Sequence, residues 1–156
     1  MTVRRARVTD HDRVAELTVA AYQPHQTPDY EPVLRDVAGR AAVTEVFVAE
    51  RGDEVVGSVA FVATGQYGEV IREPGEVSFR MLAVAPAAQG SGAGRALVLA
   101  CLDRARALGA VRVVISSQPT MTQAHALYAT LGFTRLPERD WSPSPDVPLW
   151  AYALRL

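Results

Sequence analysis

A strand, a proline and a glycine-rich turn follow one another between Met81 and Gly94. The apolar run from Met81 to Ala85 is typical of a strand covered on both faces. Pro86 ends that strand because it has no N–H to give to a ladder. Glycines at 90, 92 and 94 then lead directly into a helical segment that closes at Gly109. Such a turn lets backbone N–H groups approach a ligand where the helix dipole favours negative charge, so the stretch predicts a diphosphate cradle.

The spacing of the glycines in this loop distinguishes between the possible phosphate-containing ligands. A nucleotide P-loop needs a lysine, and none stands near it. The dinucleotide fingerprint would place its third glycine at Arg95, so it fails too. What fits is Gln-x-x-Gly-x-Gly at Gln89, Gly92 and Gly94 after a Leu-Ala-Val strand, which resembles the coenzyme A loop of the GNAT N-acetyltransferase superfamily. A tight strand–helix turn with no ligand is the other interpretation of this loop taken alone.

A second motif runs from Ala124 to Phe133 and reads Ala-His-Ala-Leu-Tyr-Ala-Thr-Leu-Gly-Phe. Its apolar residues supply packing, and Tyr128 carries the polar tip that can reach inward. The pattern Ala-x-x-Leu-Tyr-x-x-x-Gly-Phe is similar to the second GNAT signature, in which the phenol lies beside the cofactor sulfur and can protonate the departing thiolate. A core tyrosine bonded to backbone is the alternative. Two motifs in this order favour the functional interpretation.

The resemblance implies direct transfer of an acetyl group from acetyl-CoA to a primary amine of a small molecule, amino acid, peptide N-terminus or lysine. Backbone groups of Leu82, Ala83 and Val84 would pair with the pantetheine arm, and an N–H near Val84 would stabilise the oxyanion. Tyr128 would be the general acid. The other implied cofactor contacts come from Gln89, Gly90, Ser91, Gly92, Ala93, Gly94 and Arg95. Competing hypotheses are a non-catalytic acyl-CoA-binding sensor or interaction module of the same fold, and a nucleotide-binding protein.

A general base is required because an alkylammonium must lose a proton before it attacks. Glu76, at the start of the central strand, is the first candidate, and Glu45 is the second. Ser78 and Ser116 stand where some relatives carry a carboxylate, so no base is carried over directly. His125 is expected to be a surface residue of its helix.

One position departs from the family pattern. Many relatives have an asparagine three residues before the alanine of the second motif, where it bonds the cofactor arm. Met121 stands there instead and cannot donate in that way. Gln118, Thr122 and Gln123 are the candidate substitutes.

The resemblance is best from Glu45 to Phe133 and says little about residues 10–40 and 139–148, which shape the acceptor pocket in the superfamily. The candidates for lining an acceptor pocket are aromatic side chains and none of them is acidic, which does not suit a polycation. The residues expected to line an acceptor pocket are Tyr22, His25, Tyr30, Trp141 and Trp150.

The predicted order of elements is βααβββαβαββ, an α/β (α+β) fold with a mixed, mostly antiparallel central sheet and helices on both faces. A short helix is expected from about Glu31 to Arg40, after a loop broken by prolines. Tyr67 to Gly75 is predicted as a connection between strands. Asp140 to Pro148 contains three prolines and is predicted as an irregular loop. The 156 residues are expected to form a single N-acetyltransferase domain.

Composition excludes several classes of protein. A net charge of -1 and the absence of a dense basic stripe argue against a nucleic-acid partner. The single cysteine, Cys101, excludes an internal disulfide and, at an apolar helix position, predicts a small buried side chain. With no signal core and no long apolar run, a cytoplasmic protein without a membrane partner is expected. No metal is expected, and pairing of an edge strand leaves a homodimer open.

Overall fold

The structure is a computed structural model that describes residues 1–64 and 70–156. Over these ranges it has eight strands and five α-helices. In chain order they are β1 (Thr2–Arg5), α1 (His11–Tyr22), α2 (Glu31–Arg35), α3 (Val37–Val43), β2 (Glu45–Arg51), β3 (Glu54–Val62), β4 (Glu76–Val84), α4 (Ala93–Ala107), β5 (Arg112–Ser117), α5 (Thr122–Thr130), β6 (Thr134–Arg135), β7 (Trp141–Ser144) and β8 (Val147–Arg155). The predicted connection over 67–75 begins with residues 67–69, which lie outside the described residues.

The strands form one sheet in the order β1-β2-β3-β4-β5-β8-β6, with β7 pairing β8 off this path. Only β4 and β5 pair in parallel among the described strands; the other pairs are antiparallel. After Glu54 every residue of β3 is buried, which requires cover on both faces of the sheet. Helices α1 and α4 both pack against β3 and β4 and supply that cover. The predicted fold class is confirmed.

Two elements differ from the predicted order. The helix expected from about Glu31 to Arg40 is interrupted at Asp36, whose side chain accepts a hydrogen bond of 3.0 Å from the N–H of Gly39 and caps α3. The prediction of an irregular loop from Asp140 to Pro148 is wrong, because β7 lies there and forms a hairpin with β8. Proline is tolerated in β7 because an edge strand leaves half of its N–H groups unpaired.

The centre of the sheet opens into a cleft. Strands β4 and β5 pair only where they begin, through Glu76 with Arg112 and Val77 with Val113. Beyond that point β4 stays with β3 as far as Val84, while β5 follows β8. Among the described strands none pairs with the free edge of β4 after Val77, so its backbone groups on that side are available to a ligand.

Candidate active site

A cavity of about 480 Å³ occupies the cleft between β4 and β5. Helix α5, the segment joining α1 to α2, and the β7–β8 hairpin close its other sides. This volume suits a small ligand. Of the residues singled out in the sequence, those that line the cavity are Tyr22, Tyr30, Ser78, Met81, Leu82, Ser116, Gln118, Met121, Ala124, Tyr128 and Trp141.

A β-bulge shapes the β4 wall of the cavity. Ser58 pairs with Ala83 and Ala60 with Arg80, so two residues of β4, at 81 and 82, face one residue of β3. Met81 adopts a φ of 54° there, in the left-handed region that non-glycine residues avoid at a cost of about 1–2 kcal/mol. Such bulges redirect backbone groups and often lie beside active sites. The bulge therefore breaks the strand ladder where β4 lines the cavity.

The glycine-rich loop meets the requirements of a diphosphate site. Gly90 and Gly92 have φ values of 81° and 91°, and a Cβ on either would find open space within 4 Å. Helix α4 starts at Ala93, so its first N–H groups have no partner within the helix. Between the two glycines, the buried hydroxyl oxygen of Ser91 has no hydrogen-bond partner in the described part of the chain. An orphaned polar atom beside open space and free N–H groups fits an anionic ligand such as the pyrophosphate of coenzyme A.

Helix α5 joins this loop to the cavity. A Cβ on Gly94 would lie 3.4 Å from Leu127 Cδ2 and 3.7 Å from Val84 Cγ2, so the loop, α5 and the end of β4 meet there. The next residue of α5, Tyr128, lines the cavity. A ligand held by the loop can therefore extend along the free edge of β4 to the tyrosine.

Tyr128 is held by other rings. Its side chain is 5% exposed and packs against Phe79, Phe133 and Tyr152, with centroids 5.6 to 6.0 Å apart. Burial raises the pKa of its phenol well above the ordinary value, so the hydroxyl stays protonated in neutral solution. Within the described residues no hydrogen bond to backbone fixes this hydroxyl. Its proton is available to a group that enters the cavity.

Comparison with known proteins agrees with this geometry. Residues 11–133 match the acetyltransferase (GNAT) family. The chain belongs to the GNAT acetyltransferase family. Solved structures of similar fold include a ribosomal-protein-alanine N-acetyltransferase of Brucella melitensis (TM-score 0.73, 19% identity, 100% of both chains covered). Another is the Salmonella typhimurium protein yncA with its cofactor acetyl-CoA (TM-score 0.69, 25% identity, 99% of this chain and 93% of that one).

Curated relatives of this GNAT chain include two mycothiol acetyltransferases. That of Amycolatopsis mediterranei is 38% identical over 93 residues, which cover 57% of this chain and 30% of the relative. That of Streptosporangium roseum is 46% identical over 55 residues, covering 35% and 16%. The matched stretch thus spans less than a third of either relative's length. In the described part of this chain, no helix is long and apolar enough to cross a membrane.

The structure places Glu76 outside the cavity, in a buried ion-pair cluster. Its carboxylate accepts hydrogen bonds of 3.0 and 2.9 Å from Arg139 and of 3.2 Å from Arg112 Nε. The backbone N–H groups of Arg72 and Glu73 also donate to it. Burial alone would raise the pKa of Glu76, but these donors outweigh it and lower the pKa to about 2. So weak a base, with its oxygens engaged, does not suit the role expected of Glu76.

Glu45, the second candidate for the general base, does not line the cavity either. Glu45 pairs with Arg104 at 2.8 Å and Arg5 at 3.3 Å, and neither it nor Glu76 lines the cavity. Among the described residues that line it, Asp29 has the one carboxylate. Asp29 is exposed on the turn before α2, and Thr27 donates a hydrogen bond to it.

Three of the five aromatic residues expected to contact the acceptor line the cavity, namely Tyr22, Tyr30 and Trp141. Trp141 is fixed by a hydrogen bond of 3.0 Å from Nε1 to Ser116 Oγ. His25 does not line the cavity; its Nδ1 lies 2.9 Å from Thr120 Oγ1, which ties the segment after α1 to the β5–α5 loop. Trp150 lies elsewhere, under the guanidinium of Arg135.

His125 of the second motif was expected on the surface but is half-buried. Its Nε2 lies 3.0 Å from Ser117 Oγ, and its ring stacks on Trp150.

The position of the usual asparagine is occupied by Met121, which lines the cavity, as does Gln118. Thr122 and Gln123 are exposed, so Gln118 is the better placed substitute for the asparagine. Cys101 is fully buried, as predicted.

One charged residue of the cavity wall was not anticipated from the sequence. Arg80 on β4 lines the cavity, and its Nη2 lies 3.4 Å from the hydroxyl of Tyr30. A signal was present, because an arginine stands between the apolar residues Phe79 and Met81 of the central strand. A charge in such a strand usually faces a polar site.

Proposed function

We propose that the protein is an acetyl-CoA-dependent N-acetyltransferase that acts on a primary amine, with Tyr128 as the general acid. The observation that carries this proposal is the continuity of loop and cavity through α5. Leu127 packs where Gly94 leaves room, and Tyr128 lines the cavity one residue later. Membership of the GNAT family supports acetyl transfer, and the relatives' acceptors are not carried over because so little of their length is matched.

Each element has a distinct task in this mechanism. The N–H groups of Gly90 and of residues 92–95, together with the hydroxyl of Ser91, bind the pyrophosphate, whereas the Ser91 N–H is already bonded to the Ala88 carbonyl. The free edge of β4, including Leu82, Ala83 and Val84, bonds the pantetheine amides. When bound, acetyl-CoA supplies a thioester carbonyl that an amine can attack. A backbone N–H of β4 near Val84 would stabilise the developing oxyanion.

In this mechanism Tyr128 supplies the proton that the departing sulfur needs, and solvent takes the proton that the ammonium loses. The amine nitrogen forms a bond to the carbonyl carbon, and the carbon–sulfur bond breaks. Tyr128 donates its proton to the departing sulfur and recovers one afterwards. The ammonium proton leaves through solvent in the cavity, since neither Glu76 nor Glu45 is placed to take it. Holding both reactants in one cleft supplies much of the rate.

The test is thiol release from acetyl-CoA over a panel of primary amines, for wild type and Tyr128→Phe. Loss of a positioned general acid lowers kcat by roughly a hundredfold to ten-thousandfold. Tyr152→Phe is the matched control, because Tyr152 is a buried tyrosine in contact with the Tyr128 ring but does not line the cavity. Equal losses in both variants would refute the acid role. Binding of acetyl-CoA without thiol release for any amine would favour a non-catalytic binding module.

A further inference from the structure

His125 and Ser117 form a hydrogen-bonded pair at the wall of the cavity. Nε2 of His125 lies 3.0 Å from Ser117 Oγ. Ser117 is the last residue of β5 and lines the cavity, whereas His125 lies behind it on α5. The two other serines of β4 and β5 that line the cavity have different partners: Ser78 Oγ donates to a backbone carbonyl, and Ser116 Oγ accepts from Trp141. Of these three serines, Ser117 is the one whose hydroxyl meets a group that can take up a proton.

The pair lies on the same side of the cavity as Tyr128. His125 is three residues before Tyr128 on α5, so the two side chains leave the same face of the helix. Both rings pack against Tyr152, with centroids 5.0 and 6.0 Å from its centroid. The Ser117 hydroxyl therefore adjoins the part of the cavity in which the proposed acid acts.

The surroundings of His125 keep its ring neutral at pH 7. Burial lowers its pKa below the ordinary 6.5, the backbone at Gln118 opposes this, and the guanidinium of Arg135 acts with burial. The phenol of Tyr152 against the ring is uncharged, because burial raises its pKa. A neutral imidazole has one nitrogen that accepts a hydrogen bond, and the tautomer with the proton on Nδ1 leaves Nε2 to accept from Ser117. The ring is half-buried, so its other side reaches solvent.

Acetyl transfer to an amine requires the nitrogen to lose a second proton. Solvent takes the proton that the ammonium loses before attack. Once the free amine has bonded to the thioester carbon, the nitrogen carries a positive charge and must lose another proton to become an amide. Tyr128 gives its own proton to the sulfur and cannot accept one before it has done so. Neither Glu76 nor Glu45 lines the cavity, so neither carboxylate is placed to take this second proton.

We propose that Ser117 and His125 form a relay that takes the second proton from the attacking nitrogen. This inference rests on the proposed acetyl transfer to an amine. As the nitrogen proton passes to Ser117 Oγ, the hydroxyl proton passes to Nε2 of His125, so the serine stays neutral and the ring becomes an imidazolium. The imidazolium releases a proton to solvent, and solvent returns one to the phenolate of Tyr128. The nitrogen has then lost one proton and the sulfur has gained one. Ser117 meets the acceptor, and His125 acts through it.

The experiment measures kcat for thiol release at saturating acetyl-CoA, with the amine of the panel that reacts fastest. His125→Gln and Ser117→Ala are compared with wild type. Glutamine can keep a hydrogen bond to Ser117 Oγ but does not take up a proton. Ser117→Thr retains the hydroxyl and is the conservative variant. His11→Gln is the matched control, because His11 is also a half-buried histidine but lies at the start of α1 and does not line the cavity.

Loss of either member of the relay is expected to lower kcat by roughly a hundredfold. The KM for acetyl-CoA and the Tm should change little, Ser117→Thr should recover most of the rate, and His11→Gln should match wild type. In wild type, kcat should also fall as the pH is lowered below 6.5 through the depressed pKa of His125, because an imidazolium cannot accept the proton. This fall should be absent in His125→Gln. A purely structural contact between α5 and β5 would change Tm and KM instead.

Three results would overturn the relay and leave acetyl transfer intact. The first is a kcat within a few-fold of wild type in folded His125→Gln or Ser117→Ala. The second is a wild-type kcat that stays constant from pH 6.5 down to the pH at which the chain unfolds, which decides the matter even if both variants fail to fold. The third is an acidic fall of kcat that persists in His125→Gln, because another group then titrates. Thiol release with no amine at all would instead refute the proposed function itself.

Discussion

Replacing Glu76 by glutamine should destabilise the fold and leave the chemistry largely intact. The carboxylate is 2% exposed and accepts from two arginines and two backbone N–H groups. Lowering its pKa from 4.5 to about 2 corresponds to about 3 kcal/mol of stability at neutral pH. Glu76→Gln also turns an amide N–H towards a guanidinium, and removing one partner of a buried pair costs about 3–5 kcal/mol. We expect the free energy of unfolding to fall by about 3–5 kcal/mol.

The pH dependence of this loss has a definite sign. The pKa of Glu76 is lower in the folded chain than in the unfolded one. Its contribution is therefore complete above the unfolded pKa and disappears as the pH falls through 4.5 towards about 2. Urea unfolding at neutral pH and at steps down to pH 3 should show the gap between wild type and Glu76→Gln narrowing. A gap that is constant with pH would refute the electrostatic origin of the loss.

Glu45→Gln is the matched control. Glu45 also pairs with two arginines, but their side chains are 59% and 41% exposed, so the expected loss of stability is below about 1 kcal/mol.

A measurement of activity separates a structural role of Glu76 from a catalytic one. At a temperature where Glu76→Gln is folded, its kcat should stay within a few-fold of wild type. A loss of roughly a hundredfold or more without loss of stability would restore Glu76 as the base.

Three further predictions concern the loop and the proton balance. Ser91→Ala should raise the Kd for acetyl-CoA by roughly twofold to tenfold without lowering Tm, because its hydroxyl has no partner in the described chain; calorimetry would show it, and an unchanged Kd would exclude the contact. Gly92→Ala should cost about 1–2 kcal/mol in urea unfolding because φ is 91° there, and no loss would mean that the loop adapts. The rise of kcat/KM with pH should follow the pKa of each acceptor amine, because the free amine is the nucleophile and the raised pKa of Tyr128 keeps that phenol protonated throughout the rise; a rise at the same pH for all acceptors would indicate an enzyme group instead.

The glycine-rich loop was predictable because its signals are local. A strand, a proline and three glycines determine where β4 ends and α4 begins, whatever the rest of the chain does. Glu76 was not predictable in the same way. Its partners Arg112 and Arg139 lie 36 and 63 residues away in the sequence. A glutamate at a strand end looks the same whether it faces solvent or two buried arginines.

The positions of the two tryptophans depend on the β7–β8 hairpin. A loop over residues 140–148 has no strand register, so the sequence alone does not predict that Trp141 lines the cavity and Trp150 does not. In the structure Trp141 pairs with Leu149, and both line the cavity. Successive side chains of a strand point to opposite faces, so Trp150, next to Leu149, faces away and stacks with Arg135 and His125.

The cluster that disqualifies Glu76 as a base also explains how the cleft keeps its shape. Glu76 and Arg112 are opposite each other at the start of β4 and β5, just before the strands part. Their ion pair therefore holds the two strands together at the narrow end of the cleft. Arg139 adds a second tie, since it bonds Glu76 and, at 3.0 Å, the carbonyl of Val70, and it lies two residues before Trp141. Both Val70 and Trp141 line the cavity. One buried carboxylate thus anchors the strands and two parts of the cavity wall, a role that requires it to stay ionised and inaccessible, whereas a general base must be reachable and able to take a proton.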